Sequence, residues 1–128
     1  RRITGLVYIV SNPNQRGVKI GMTTKTIEQR LKSLNSTGVP GSFVPIAIFP
    51  SDKPKEEEKR IHKKIEKYRI EKEHFELDPL DAVLKAYRSL NRKTKPIFFD
   101  SVDEKKFILH LEKAKIDMQI KLQGKKSK

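Results

Sequence analysis

Gly5-Leu6-Val7-Tyr8-Ile9-Val10-Ser11-Asn12-Pro13-Asn14-Gln15-Arg16-Gly17-Val18-Lys19-Ile20-Gly21-Met22-Thr23 is the stretch from which the fold is read. Ile3 to Val10 is rich in β-branched and aromatic residues and reads as a strand. Ser11 to Gly17 is dense in turn formers, and Val18 to Met22 reads as a second strand. A connection this short cannot hold a crossover, so the two strands form an antiparallel hairpin.

Working outward, Thr23 to Thr26 offers capping hydroxyls, and Thr26 with Gln29 three residues on makes a capping box. The helix it opens runs to about Leu34, with Ile27, Leu31 and Leu34 on one face. Asn35 to Ser42 is a loop. Phe43 to Phe49 is a third, mostly apolar strand, whose Pro45 predicts an irregular edge. Pro54 stands near the start of a second helix, with Glu56, Glu57 and Glu58 in the first turn where the helix dipole favours acids. That helix is expected to reach Tyr68 on the stripe Ile61, Ile65 and Tyr68. His74 to Leu77 is a short extended piece. Asp78-Pro79 opens a helix carrying Leu80, Val83, Leu84, Tyr87 and Leu90, and Ile97-Phe98-Phe99 is a short apolar segment. Ser101 is expected to cap a last helix from Val102 to about Leu122, whose stripe Phe107, Ile108, Leu111 and Ile116 docks on the core. The order implies an α+β protein: a small antiparallel sheet with helices against it. The expected organisation is a core over 1–77, a helical extension packed on it over 78–123 and a basic tail over 124–128.

Composition narrows the function. The 128 residues carry 29 Lys+Arg against 16 Asp+Glu, a formal charge of +13. The excess is not a detachable arm, because residues 1–77 hold 16 basic and 9 acidic side chains and residues 78–128 hold 13 and 7. A body charged throughout attracts a polyanion, and solubility needs only a net charge of about 2 to 8. With no Cys, a disulfide scaffold, a thiol nucleophile and a Cys-ligated metal are excluded. No apolar run approaches the roughly 20 residues of a membrane span, and no signal peptide opens the chain, so no membrane partner and a cytoplasmic setting are expected. No phosphate-cradling glycine loop precedes a helix. Lys53 to Lys72 mixes signs and reads as a solvated face. Arg88, Arg92, Lys93 and Lys95, with Lys25, are the weaker candidates for holding a DNA backbone, and Lys121 to Lys128 could join them.

Five polar side chains stand out. Tyr8 is central in the first strand and Lys19 in the second, where a hairpin lets them share a face. Arg30 flanks the apolar stripe of the first helix. Glu58 and His62 lie one turn apart on the second. Each alone has an ordinary explanation: a packed phenol, a snorkelling lysine, a solvated first turn, a surface histidine. His110 has no evident partner and reads as structural.

Taken together, Gly5-Leu6-Val7-Tyr8-Ile9, then Val18-Lys19-Ile20-Gly21-Met22-Thr23, then Arg30-Leu31, Glu58, His62 and Glu73-His74-Phe75 resemble the GIY-YIG endonuclease superfamily. The closer likeness is to its KIG-signature branch, found in phage, bacterial and fungal proteins. The resemblance covers about residues 3–77. It implies a three-stranded antiparallel sheet flanked by helices, here with additional C-terminal helices. It also implies metal-dependent hydrolysis of DNA phosphodiester bonds at Tyr8, Lys19, Arg30, His62 and Glu58. Glu58 would hold one divalent metal, magnesium or manganese. Arg30 would stabilise the phosphoryl charge, and either Tyr8 or His62 would serve as base, with Lys19 a cation for the phenol. Two positions depart from the pattern. Lys19 stands where many relatives have tyrosine, and Leu34 where many have histidine. Glu73 matches an acidic position without an assigned role. A targeting domain or partner protein would fit so small a cutting head. The competing readings are a basic nucleic-acid-binding module without turnover and, less favoured, a protein lying on anionic lipid through its last helix.

Overall fold

A computed structural model describes residues 3–35 and 43–126, with side chains up to Ile120. The chain runs β1 (Gly5–Ser11), β2 (Val18–Thr23), α1 (Ile27–Asn35), β3 (Val44–Ser51), α2 (Pro54–Lys64), a 3-10 turn (Glu66–Tyr68), β4 (Arg69–Glu71), β5 (His74–Phe75), α3 (Pro79–Ser89), β6 (Ile97–Phe98) and α4 (Ser101–Lys126). The strands form one six-stranded antiparallel sheet in the order β4-β5-β2-β1-β3-β6. This corrects the expected three-stranded sheet. The three long strands form its centre, and β4, β5 and β6, of two or three residues each, extend both edges. Segments that short carry no alternation of their own. They become strands because an edge offers unpaired backbone groups: β2 to β5, β5 in turn to β4, and β3 to β6.

Antiparallel pairing of β1 with β2 sets Tyr8 opposite Gly21 and Val10 opposite Lys19, so Tyr8 and Lys19 share a face. Gly17, at φ +73°, closes the hairpin loop. A Cβ there would strike the Phe75 carbonyl oxygen, so this position needs glycine twice over. Pro45 fulfils its expected irregularity. The β1–β3 register slips between Ile9 and Val10, leaving Ile46 unpaired in a bulge.

The sheet has two dressed faces. Val7, Ile9, Val18, Ile20, Ala47 and Phe49 meet Ile61 of α2, Ile65 just beyond its end and the buried residues of α3. Tyr8 and Val10, on the other face, meet Ile27 and Leu34 of α1 together with Phe43. The Thr26–Gln29 capping box forms with both bonds at 3.2 Å. Helix α2 stops at Lys64, short of the expected Tyr68, and the chain tightens into the 3-10 turn. The loop expected over 35–42 lies outside the described residues from 36 onward.

The last helix departs from expectation in three ways. Asp100, not Ser101, caps it, its carboxylate accepting the Val102 N–H at 2.8 Å. Only Phe107 and Leu111 dock, Phe107 against Tyr87 and Phe98, while Ile108 and Ile116 stay exposed. The backbone remains helical through Gly124 to Lys126, where a stop near Leu122 was expected. No helix among the described residues is long and apolar enough to cross a membrane.

Candidate functional site

The site forms where the outer edge of β2 runs beyond β5. In an antiparallel strand the N–H and C=O of alternate residues point the same way. Of β2, only Val18 and Lys19 pair with β5, so the outward groups of Ile20 and Met22 need other partners. Ile20 N–H donates to the Glu73 carbonyl at 3.0 Å. The Ile20 carbonyl takes a 2.8 Å bond from His62 Nε2, and the Met22 N–H donates to the Glu58 carboxylate. Glu58 and His62, one turn apart on α2, thus reach around the sheet edge and finish it. A carbonyl only accepts, so His62 Nε2 carries a proton and Nδ1 is the nitrogen left with a lone pair in the neutral ring. The imidazole also packs on Phe75 at 5.0 Å between ring centroids.

From the other face Tyr8, fully buried, lays its ring across Gly21. A Cβ on Gly21 would lie 2.5 Å from the phenol oxygen, 2.8 Å from Cζ and 3.0 Å from Glu73 Oε2. This glycine is the gap through which the phenol reaches the carboxylates. Arg30 Nε donates to Tyr8 Oη at 3.0 Å, and its guanidinium carbon stands 5.7 Å from the ring centroid. Arg30 also lines an open cleft of about 380 Å³ with Met22, Thr23, Lys25, Gln29 and Ser33.

Burial pushes the Tyr8 phenol above its ordinary value of 10.0. Arg30 pulls it down by hydrogen bond and charge, Glu73 and Glu58 push it up, and burial prevails. Glu58 is likewise raised from 4.5, first by burial. Glu73 adds to the rise, while His62, the Met22 N–H and Arg30 oppose it. Burial thus disfavours the ionised form of both groups, and a cation placed beside them favours it. Among the described residues no three His, Cys, Asp or Glu side chains converge on one metal position. An all-protein cage is absent there, while the single oxygen anchor of a hydrated magnesium is compatible with Glu58.

Tyr8, Arg30, Glu58 and His62 gather at this edge. Lys19 adjoins them but does not serve the phenol as expected. It lies one pleat along, opposite Val10, and its Nζ is 3.4 Å from Glu73 Oε2. The cation on Tyr8 is Arg30. Glu73, without a role in the sequence reading, is central here, delivered by the β4–β5 hairpin. Its only sequence signal was its place before His74-Phe75. Of the weaker candidates, Lys25 lines the Arg30 cleft. Arg88, Arg92 and Lys95 line another, on α3 and α4, which His110 joins. Lys93 is exposed and lines neither cleft. The side chains of 121–128 lie outside those described.

The fold and this edge-built cluster define a small α+β domain with a polar site at a sheet margin. The chain belongs to the T5orf172 domain family, whose model matches residues 5–92. This overturns the membership read from the sequence: the matching family is the T5orf172 domain and not GIY-YIG. A KilA-N domain-containing protein, 315L of Invertebrate iridescent virus 6, is 35% identical over 80 residues, which is 59% of this chain and 34% of that protein. The chain spans about a third of that relative's length. No solved structure matches.

Proposed function

We propose that this protein is a DNA-binding, nuclease-like module whose sheet-edge cluster engages a phosphodiester. T5orf172 membership, a relative carrying a KilA-N domain and a charge of +13 support the DNA-binding part. The observation that carries the site is the Arg30–Tyr8 pair set beside Glu58. Arg30 spends Nε on the phenol and keeps its two NH₂ groups for a phosphate, which a guanidinium grips in two places. Tyr8, held protonated, donates to a phosphate oxygen.

The finer proposal is hydrolysis. Magnesium on Glu58 would supply positive charge at the leaving oxygen. His62, anchored through Nε2, offers Nδ1 as acceptor for the proton of an attacking water. Arg30 stabilises the charge that builds on the phosphoryl oxygens. A second reading, binding without turnover, is favoured by one observation. Burial raises the Glu58 carboxyl above its ordinary value, which works against the ionised form that a metal anchor needs.

Supercoiled plasmid with magnesium or manganese, or with EDTA, separates the readings when wild type is compared with Glu58→Gln. Metal-dependent nicking that vanishes in the variant supports hydrolysis. Salt-sensitive binding without nicking, unchanged by Glu58→Gln, supports the binding module. Absence of both overturns the proposal.

A further inference from the structure

The far side of α2 carries a second feature. Lys64 at the end of α2, Lys67 and Tyr68 in the 3-10 turn, and Lys85 and Arg88 on α3 surround a cleft of about 300 Å³. Lys67 and Lys85 approach the Tyr68 ring from two different elements, with Nζ 5.2 and 5.5 Å from its centroid. No acidic side chain lines the cleft. Among the described residues none of its four cations is ion-paired. The sequence reads this stretch as a mixed-sign solvated face. The fold unmixes it, leaving Glu58 beside β2 and turning Lys64 and Lys67 toward α3. At 3.6 residues per turn the apolar stripe Ile61–Ile65 separates Lys64 from Glu58 and His62, so the two sites lie on opposite flanks of α2.

Four cations held together without counter-charge repel one another, and a polyanion relieves that repulsion. The cleft has no exposed large apolar side chain to anchor a protein partner. Lysine heads act as point charges that suit backbone phosphates and read no bases. Arg88 also lines the adjoining cleft with Arg92, Lys95 and Lys115, which prolongs the positive track.

We propose that the α2–α3 groove is a second contact for the phosphate backbone of duplex DNA, separate from the Tyr8 site. It rests on the DNA-binding reading and adds where a further stretch of backbone lies. DNA held on both flanks of α2 is fixed in orientation relative to the sheet-edge site.

The test is binding of a fluorescent 30-base-pair duplex across a salt series. Wild type is compared with the triple variant Lys67→Gln, Lys85→Gln, Arg88→Gln and with a control of equal charge on α4, Lys105→Gln, Lys106→Gln, Lys113→Gln. Circular dichroism melting checks that both variants fold. Each lost phosphate contact lowers the slope of log K against log salt by about 0.9, so the groove variant is expected to lose about 2 to 3 and the control less than 1. Equal losses in both, or no loss in the groove variant while wild type binds, overturn the groove and leave the DNA-binding reading standing. A wild type that ignores DNA but binds anionic vesicles through the same residues overturns both.

Discussion

Gly21→Ala tests the geometry of the site most directly. The added methyl group would sit 2.5 Å from Tyr8 Oη and 2.8 Å from Cζ. A flexible side chain could swing away, but Tyr8 is fully buried among Val10, Ile27, Leu34 and Phe43 and has nowhere to go. Overpacking of this kind costs about 1–3 kcal/mol. Displacing the phenol also breaks its bond from Arg30, a charged hydrogen bond worth about 1.5–3 kcal/mol. Alanine's stiffer backbone returns roughly 0.5–1 kcal/mol. The expected net loss is about 1.5–5.5 kcal/mol, a shift of about 1–3 M in the urea midpoint at a slope of about 2 kcal/mol per M. A domain of this size has about 6–19 kcal/mol of stability, so it still folds at 25 °C. In a Tyr8→Phe background the 2.5 Å contact and the Arg30 bond are already gone, and Gly21→Ala should cost about half as much. A double-mutant cycle by urea unfolding, with duplex affinity measured on each protein, reads this coupling. Additivity within about 0.5 kcal/mol, or a neutral Gly21→Ala, would refute the picture of a phenol threaded over Gly21.

Other outcomes follow from the charges and the backbone. Glu58 has a raised folded pKa, so its contribution to stability is fullest below 4.5 and is lost as pH rises through the folded value. Glu58→Gln should therefore raise the melting temperature at pH 7 and lose that advantage near pH 4, and magnesium should stabilise wild type but not the variant. His74 is lowered from 6.5, by burial first and then by Lys19. Its neutral form, bonded to Gln15 at 2.8 Å, favours the fold, and stability should fall as pH drops through 6.5 toward the folded value. His74→Gln should flatten that fall in a pH series of thermal melts. Arg92 sits at φ +58° in the turn after α3, a conformation costly for a side chain with a Cβ. Arg92→Gly should stabilise by about 0.5–1 kcal/mol in urea unfolding while weakening duplex binding.

Much of this architecture was legible in the chain. Alternation and turn residues placed the β1–β2 hairpin, and its register put Tyr8 and Lys19 on one face because the side-chain period is two. The Thr26–Gln29 box and the apolar spacing of α1 are local, and they form as read. Pro45 announced the bulge opposite β1. The expected family was corrected because short motifs common to strand and helix starts matched a signature, while the family model that matches is the T5orf172 domain.

The tertiary structure decided the rest, and the reason is that the deciding contacts join residues distant in sequence. Strands β4, β5 and β6 exist only because other strands offer them an edge. Glu73 arrives beside Tyr8 and Glu58 through a hairpin whose position no local pattern encodes. Lys19 is drawn to Glu73, which left Arg30 as the cation on the phenol. The groove between Lys64, Lys67, Lys85 and Arg88 appears only when α2 and α3 pack together. What the sequence determined by itself was periodicity, caps, turns and net charge, all properties of near neighbours along the chain. Which charges meet across the fold was settled by packing.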